Sequence, residues 1–349
     1  MILSDLAIID NKIKTLIDNY ISNSSSSAVF NNIAIEIHQF QYKYNSFYYN
    51  FCKNISITNN VSNLTEIPFF SIESFKGQLI PSTVPISENE GVYFETSGTL
   101  NGQKGKVYRD KYFFELIKKT VFAVGFKIWF QNFKNKPDLI FLDYPNKRNL
   151  SNYPIEYSVL YNIKTFFGSD HSNFYNITIQ EQLNDLIELL KSNKHFVIIG
   201  PSYYLSNLID YIYKNNITLK IDPNSLILDS GGLKNKSSHL NNCDYLTDLL
   251  DVFGIYKSNY FNTYALTEIG SQFTNMPGEE YKVIPPWTKI RIVKKMNNSF
   301  IDCNDNEIGN IIIYDLLNRG CLLGLLTSDL GILKGNTLKV IGREISKND

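Results

Sequence analysis

One segment of the chain, residues 96–105, combines residue types that bind phosphate. It reads Thr96-Ser97-Gly98-Thr99-Leu100-Asn101-Gly102-Gln103-Lys104-Gly105 and follows a strand-like run at residues 92–94. Glycines let the backbone approach a ligand closely, hydroxyl and N–H groups donate hydrogen bonds, and a lysine adds mobile positive charge. We therefore predict a phosphate-binding loop between a short strand and a helix.

The segment is not a Walker A loop. That motif ends in Gly-Lys-Ser/Thr, whereas here Gln103 precedes Lys104 and Gly105 follows it. Clusters of Gly, Ser, Thr and Asn are also common in ordinary turns, so a surface loop is the alternative interpretation.

Three polar segments further along the chain extend the pattern. They are Ser230-Gly231-Gly232-Leu233-Lys234, Tyr264-Ala265-Leu266-Thr267-Glu268, and Thr327-Ser328-Asp329-Leu330-Gly331 followed by Ile341-Gly342-Arg343. In order and spacing, the loop and these segments resemble the adenylate-forming ligase superfamily, whose phosphate loop reads T-S-G-T-T-G-x-P-K-G. This resemblance makes the surface-loop interpretation the weaker one.

Four stretches indicate a more specific family within this superfamily: residues 198–202, 228–234, 264–272 and 285–287. These stretches are similar to the acyl-protein synthetases of bacterial bioluminescence, the ligase component of the fatty acid reductase complex, and to their wider family. The likeness covers roughly residues 67–343. It implies a ligase that uses ATP and Mg²⁺ to convert a carboxylic acid, with a fatty acid favoured, into an acyl-adenylate and pyrophosphate.

Such a reaction brings a carboxylate to a nucleotide that carries about four negative charges, so the site must neutralise charge. The resemblance implies that Lys104 offsets the charge of the departing pyrophosphate. It also implies that the β- and γ-phosphates are wrapped by Thr96, Ser97, Gly98 and Thr99. The loop departs from the family because Leu100 and Asn101 replace the usual Thr-Gly and Gln103 replaces proline.

The resemblance also implies roles for residues in the three downstream segments. Thr267 would donate its hydroxyl to the α-phosphate, Glu268 would hold Mg²⁺, which prefers hard oxygen ligands, and Tyr264 would stack against adenine. Taken alone, the Thr-Glu pair would be read as a solvent-exposed strand end. The resemblance further implies an adenine-side wall, a carboxylate for the ribose hydroxyls and a cation for ribose or phosphate, supplied by Ser230, Gly231, Gly232, Asp329 and Arg343.

The acyl acceptor is expected to be external. Only residues 344–349 follow Arg343, so we expect neither the C-terminal lid of the superfamily nor the tail cysteine that takes the acyl group in the bioluminescence synthetases. Cys321 precedes an apolar run, which favours a structural role over a nucleophilic one. The predicted acceptor is therefore a carrier-protein thiol, coenzyme A, a cysteine of a partner reductase, or an amine.

Two other functions fit parts of the sequence. A chain without lid and tail could be a nucleotide-binding or scaffold subunit of an acyl-transfer or reductase complex, without turnover of its own. A hydrolase could use Ser202, but a nucleophile elbow needs glycine two residues after the serine, and Tyr204 stands there.

Bulk composition favours a cytoplasmic, soluble protein. The 349 residues carry a formal net charge of zero, which gives no attraction to nucleic acid or to an anionic membrane. No signal peptide or apolar run of membrane-spanning length is apparent. The four cysteines, Cys52, Cys243, Cys303 and Cys321, lack metal or disulfide spacing and are expected to be small buried residues.

The predicted fold is α/β, a large domain of the adenylate-forming ligase type. Residues 1–85 form a helical opening, with helices around residues 9–20 and 31–50, and an irregular connector. Residues 86–284 form a nucleotide-binding core, a mainly parallel sheet covered by helices at 179–191 and 203–214, with strands at 139–142, 196–199 and 226–228. Residues 285–349 form a small β-rich subdomain with strands at 289–293, 310–314, 322–326 and 338–341 and a hairpin at Gly335-Asn336.

Overall fold

Two β-sheets and a two-stranded hairpin, with helices around them, make up the part of the chain that the computed structural model describes. The described residues are 2–24, 27–75, 82–86, 91–95, 105–131, 137–142, 174–231, 242–297 and 299–343. Within these ranges, none of the helices has both the length and the apolar character needed to cross a bilayer.

The helical opening predicted for the chain is confirmed, but it contains three helices where two were predicted: α1 (Ile2–Ile21), α2 (Ser27–Tyr44) and α3 (Ser46–Asn54). The helical spacing of α1 places Leu6, Ile9 and Ile13 in the core. The prediction of one continuous helix over residues 31–50 is wrong, because the chain forms two helices there. Asn45 adopts an extended conformation there, and its side chain accepts a hydrogen bond from the Tyr48 backbone N–H at 3.1 Å, which starts a new helix.

The central sheet is mainly parallel. Its strands are β4 (Asp138–Leu142), β5 (Phe174–Ile177), β6 (Phe196–Pro201), β7 (Leu226–Ser230), β8 (Tyr260–Tyr264) and β9 (Phe273–Thr274). They lie in the order β5-β4-β6-β7-β8-β9, and only β9 runs antiparallel to its neighbour. The strands predicted from apolar runs, β4, β6 and β7, are confirmed; β4 and β6 are almost entirely buried, as strands covered on both faces must be.

Helices cover both faces of this sheet. On one face, Ile140, Ile198 and Ile227 pack with α5 (Ile179–Leu190), α6 (Ser202–Lys214) and α7 (Asn242–Phe253). On the other, Leu139, Val197 and Leu228 belong to the same core as α1 and α4 (Lys111–Val124). Successive strand residues point to opposite faces, which explains the two cores.

Two paired strands stand before and after the candidate phosphate loop in the chain. Strand β2 (Gly91–Glu95) pairs antiparallel with β3 (Lys106–Asp110), and Glu95 lies opposite Lys106. The prediction that a helix follows the loop is therefore wrong, because β3 comes first. Helix α4 begins after β3, where the Asp110 side chain caps it by accepting hydrogen bonds from the N–H groups of Tyr112 and Phe113 at 2.8 and 3.1 Å.

The second sheet contains the C-terminal strands. They are β11 (Thr288–Met296), β12 (Ser299–Asp302), β13 (Gly309–Asp315), β14 (Gly324–Lys334) and β15 (Thr337–Arg343), joined by β10 (Lys282–Val283) and β1 (Phe69–Ser71). The order is β10-β15-β14-β13-β11-β12, with β1 parallel to β14.

The predicted hairpin is confirmed at Gly335, whose φ of +56° suits glycine. The strand predicted at 322–326 instead begins at Gly324 and continues through Asp329 to Lys334. The predicted α/β class is confirmed, whereas the three-part division of the chain stays a prediction.

Candidate active site

Three predicted site residues meet where the two sheets adjoin. Tyr264 ends β8 of the central sheet, and its Oη donates a hydrogen bond to Asp329 Oδ2 at 2.7 Å. Arg343 lies opposite Asp329 on β15 and donates from Nε to Asp329 Oδ1 at 3.2 Å. The Arg343 side chain is 44% exposed and that of Asp329 only 9%, so the cation faces solvent while the carboxylate is held beneath it. Both oxygens of Asp329 therefore have a fixed donor.

Tyr264 carries a polar contact that the sequence did not predict. Burial and the nearby Asp329 carboxylate raise the pKa of Tyr264 well above its usual value, so the hydroxyl keeps the proton that it donates. The stacking of its ring against adenine stays a prediction.

Thr267 and Glu268 form a turn just beyond the end of β8. The Thr267 carbonyl accepts a hydrogen bond from the Arg109 Nη2 at 3.2 Å, and the Glu268 carbonyl accepts one from the Asn318 Nδ2 at 3.0 Å. Their backbones are thus held from the side of β3 and of the short 3₁₀ helix Leu316–Gly320.

The charge of Glu268 interacts with those of its neighbours. Burial raises the pKa of this carboxyl, while the positive charges of Arg109 and Arg343 act in the opposite direction and Asp329 adds to the increase. Glu268 therefore lies within electrostatic reach of the Tyr264, Asp329 and Arg343 group.

The turn after Glu268 is anchored by one buried carboxylate. Asp315 Oδ2 accepts hydrogen bonds from the N–H groups of Gly270 and Ser271 at 2.8 and 2.9 Å, and its Oδ1 accepts from the Ser271 hydroxyl at 2.8 Å. A side chain at Gly270 would have no room, because a Cβ there would lie 2.7 Å from a Leu317 side-chain atom. The end of β8 is therefore followed by a rigid turn.

Ser230 and Gly231 lie at the adjacent strand end. Ser230 ends β7 opposite Thr263 of β8, and the Gly231 N–H donates to the Thr263 carbonyl at 3.1 Å. Gly231 has φ of +80°, a conformation that L side chains rarely adopt. The two residues therefore flank the strand that carries Tyr264.

A buried network lies beneath these strand ends. Asp229 is fully buried and accepts hydrogen bonds from the hydroxyls of Ser202, Tyr245 and Tyr260 at 2.5, 3.1 and 2.6 Å. Ser202 is only 2% exposed, so its hydroxyl is not accessible to a substrate carbonyl and its contact with Asp229 belongs to the buried network. This finding opposes the hydrolase interpretation.

The predicted phosphate-loop residues lie outside the described residues, but both flanks of the loop are described. Thr96, Ser97, Gly98, Thr99 and Lys104 are in this group, as is Gly232. Gly105, the last residue of the loop, packs so closely on the Phe75 backbone that a Cβ would lie 2.1 Å from the Phe75 carbonyl oxygen. Two residues before Phe75, Glu73 accepts a hydrogen bond from the Ser328 hydroxyl at 3.1 Å, beside Asp329. The loop therefore ends next to the strand that carries Asp329.

Sequence reasoning missed three polar residues of this region: Arg109, Asn262 and Asn318. Asn262 is two residues before Tyr264 on β8, so both side chains lie on one strand face; its Nδ2 donates to the Gly231 carbonyl at 3.3 Å. This period of two could have revealed Asn262. Arg109 and Asn318 form a hydrogen bond at 2.9 Å although they are 209 residues apart, and no local pattern indicates such a contact.

The family model described as "Acyl-protein synthetase, LuxE" matches residues 6–344. A curated relative, the long-chain-fatty-acid–luciferin-component ligase of Aliivibrio fischeri, is 27% identical over 86% of this chain and 78% of its own length. An open conformation of a 2-hydroxyisobutyryl-CoA ligase, in complex with 2-HIB-AMP and CoA, matches with a TM-score of 0.66 and 10% identity over 91% of this chain and 70% of that chain.

Coverage is smaller for another solved structure. The ATP-bound MatB from Rhodopseudomonas palustris is 13% identical, with a TM-score of 0.49, over 72% of this chain; this chain spans only 47% of that one.

These findings confirm the predicted fold type, because the 2-hydroxyisobutyryl-CoA ligase shares this fold over most of the chain. The family match also confirms the predicted function, which is ATP-dependent formation of an acyl-adenylate followed by acyl transfer. It does not favour the alternative of a scaffold subunit. Because the family model matches nearly the whole length, this chain belongs to the acyl-protein synthetase LuxE family.

Proposed function

We propose that this chain converts a long-chain fatty acid and ATP into an acyl-adenylate and pyrophosphate, and then transfers the acyl group to an external thiol. The choice of acid is supported by the name of the Aliivibrio fischeri relative, a long-chain-fatty-acid–luciferin-component ligase. The observation that carries the proposal is the group formed by Tyr264, Asp329 and Arg343 beside Glu268.

The residues of the candidate site share the work of binding the nucleotide. Asp329, with both oxygens oriented by Tyr264 and Arg343, accepts hydrogen bonds from the ribose hydroxyls. The exposed guanidinium of Arg343 contacts ribose or phosphate, and the Thr267 hydroxyl contacts the α-phosphate. Ser230, Gly231 and Gly232 form the adenine-side wall, where absent side chains leave room for the base.

The reacting groups require charge stabilisation rather than a general base. Lys104 offsets the charge that develops on pyrophosphate, and the loop residues Thr96, Ser97, Gly98 and Thr99 hold the β- and γ-phosphates. The carboxylate attacks the α-phosphorus while the P–O bond to pyrophosphate breaks, so the chain acts by positioning.

The described residues fit a nucleotide-bound Mg²⁺. They contain no cluster of three or more acidic, histidine or cysteine side chains that could hold a metal by itself. Mg²⁺ commonly uses one or two carboxylates together with substrate phosphates, which matches the single carboxylate of Glu268. When bound, the ion would supply charge neutralisation at the phosphates.

The acceptor is proposed to be a thiol of a carrier protein, coenzyme A or a reductase partner. Cys321 is buried, 3% exposed, and burial raises the pKa of its thiol. Both features oppose a role for Cys321 as the acyl carrier.

The test is acid-dependent exchange of labelled pyrophosphate into ATP in Glu268→Ala and Lys104→Ala. We expect each change to abolish exchange and leave the fold intact, because Lys104→Ala removes the cation proposed to offset the phosphate charge and Glu268→Ala removes the carboxylate proposed to hold Mg²⁺. Glu188→Ala and Lys191→Ala, at an exposed ion pair at the C-terminal end of α5, are matched controls that should exchange like wild type. Unchanged exchange in both site variants would overturn the site assignment.

A further inference from the structure

Arg109 is a buried cation on β3 that has no role in the chemistry proposed above. Only 3% of it is exposed, and its guanidinium lies 4.2 Å from the centre of the Phe113 ring. A charge removed from water is costly unless hydrogen bonds compensate it. Within the described part of the chain, its two terminal nitrogens bond the Thr267 carbonyl and Asn318 Oδ1, and its Nε is buried without a hydrogen-bond partner.

Asn318 extends the contact to the next peptide group. Its Oδ1 accepts from Arg109 Nη1 at 2.9 Å, while its Nδ2 donates to the carbonyls of Glu268 and Leu322 at 3.0 and 3.2 Å. Arg109 therefore holds the carbonyl of Thr267, and Asn318 holds that of Glu268. Two successive carbonyls of the turn are fixed by two side chains that also bond each other.

The support behind these two residues is rigid. The next residue on each segment forms a second pair, in which Arg319 donates to both oxygens of Asp110 at 2.7 and 2.8 Å. Arg319 also pairs with Asp10 of α1, and this ion pair is buried. The end of β3 and the 3₁₀ helix are thus joined by two consecutive side-chain pairs, one facing the Thr267–Glu268 turn and the other facing the helices.

We propose that Arg109 and Asn318 form a positioning clamp that fixes the peptide groups of Thr267 and Glu268, and so directs their hydroxyl and carboxylate toward the nucleotide. The inference rests on the proposed function of Thr267 and Glu268. A planar guanidinium can bond two acceptors at fixed directions, whereas the single ammonium of lysine cannot reproduce this fork. The clamp therefore requires arginine in particular.

Two conservative variants separate the halves of the clamp. Arg109→Lys keeps a positive charge and loses the fork. Asn318→Asp keeps an acceptor for Arg109 and replaces the amide that donates to the Glu268 carbonyl. Arg291→Lys is the matched control, because Arg291 makes a comparable two-nitrogen contact with Asp302 in the C-terminal sheet.

The first readout is hydrogen exchange of the ligand-free protein, followed by mass spectrometry. We expect amides of residues 264–271 to exchange about tenfold faster or more in both clamp variants, because the turn opens more often once the hydrogen bonds that anchor its carbonyls are lost. In the remainder of the chain, away from the substituted residue and its own hydrogen-bond partners, which include Leu322 for Asn318 and Asp302 for Arg291, all three variants should exchange like wild type. Residues 264–271 of Arg291→Lys should do the same. A general role in stability would instead speed exchange throughout, and this outcome or no change at 264–271 would overturn the clamp.

The second readout is pyrophosphate exchange per folded molecule. We expect kcat to fall by about 10- to 100-fold in each clamp variant, as for other residues that orient a reacting group, while the KM for the acid changes little. Rates within about twofold of wild type would overturn the clamp. If wild type itself shows no exchange, the proposed function fails, and the hydrogen-exchange result still decides the clamp.

Discussion

At the residue scale, the two carboxylates of the candidate site differ in how their surroundings hold them. Asp329 receives a direct hydrogen bond on each oxygen, from Tyr264 and Arg343. Burial raises the pKa of Glu268, whereas a hydrogen bond from its own backbone N–H and the charges of Arg109 and Arg343 act in the opposite direction. A carboxylate whose two oxygens each accept a fixed hydrogen bond suits the binding of ribose hydroxyls. A carboxylate without such a pair of donors suits the binding of a metal ion that enters with the nucleotide.

The Tyr264 hydroxyl can be tested by Tyr264→Phe. This change removes the 2.7 Å hydrogen bond to Asp329 and keeps the ring. A hydrogen bond to a charged group contributes about 1.5–3 kcal/mol, so we expect a loss of this size in the free energy of unfolding. We also expect a higher KM for ATP, because Asp329 loses one of its orienting donors.

Tyr213→Phe is the matched control. It removes a 3.2 Å hydrogen bond to Asp248 on the surface, which should change stability by no more than about 0.5 kcal/mol. Equal effects of the two substitutions on unfolding and on the KM for ATP would contradict the role given to Tyr264. Urea unfolding and initial exchange rates are the measurements.

Lys282 provides a pH-dependent prediction. Its Nζ donates to the backbone carbonyl and to Oδ1 of Asn262 at 2.8 and 2.6 Å, and burial lowers the pKa of this lysine from 10.5 to about 8. Between these values the unfolded chain binds more protons than the folded one, so this lysine makes stability rise with pH. Below pH 8 both states are protonated and its contribution is constant.

We therefore expect the free energy of unfolding of wild type, minus that of Lys282→Met, to increase by about 2.5 kcal/mol between pH 7 and pH 10. The difference between the two proteins cancels the contributions of other groups that titrate in this pH range. Urea unfolding of both proteins at several pH values measures it. A difference that stays flat over this range would show an ordinary pKa for Lys282 in the folded protein, and one that falls would show a raised pKa; either result would contradict the prediction.

At the element scale, the strand end at β7 depends on the backbone of one glycine. Gly231 has φ of +80° and its Cβ position is open, as is that of Gly335, which has φ of +56° in the β14–β15 hairpin. Alanine at either position should therefore cost a similar amount of stability, about 1–2 kcal/mol, through backbone strain alone.

Only one of these turns lies at the proposed adenine-side wall. We expect Gly231→Ala to raise the KM for ATP clearly, while Gly335→Ala leaves it at the wild-type value. Steady-state exchange rates at varied ATP give both constants. A normal KM in Gly231→Ala, together with the expected loss of stability, would remove Gly231 from the nucleotide site.

The elements that the sequence predicted are those with strong local patterns. Strands β4, β6 and β7 are continuous apolar runs, and α5 and α6 show clear helical spacing. Strand β3 was missed because its pairing with β2 is not visible in local periodicity. The break at Asn45 was missed because apolar residues continue on both sides of this capping residue.

The site shows the same division. Tyr264, Asp329 and Arg343 were predicted from short motifs, and the structure brings them together. Arg109 and Asn318 were missed, because their contact joins segments far apart in the chain. Sequence patterns report local structure, whereas the support of a site is a product of tertiary packing.

At the scale of the whole molecule, one buried arginine ties the N-terminal helices to the site. Arg319 pairs with Asp10 of α1 and with Asp110, which caps α4. Removing one partner of a buried ion pair leaves an uncompensated charge and costs more than an exposed pair. The first helices are therefore attached to the same 3₁₀ helix that contacts the Thr267–Glu268 turn.

The central claim is that this chain forms an acyl-adenylate. The most direct measurement is exchange of labelled pyrophosphate into ATP by the purified wild-type chain, with a panel of fatty, aryl and amino acids and no thiol acceptor. We predict exchange that depends on a long-chain fatty acid. No exchange with any acid, while ATP binding is confirmed by calorimetry, would contradict the account and favour a nucleotide-binding subunit without turnover of its own.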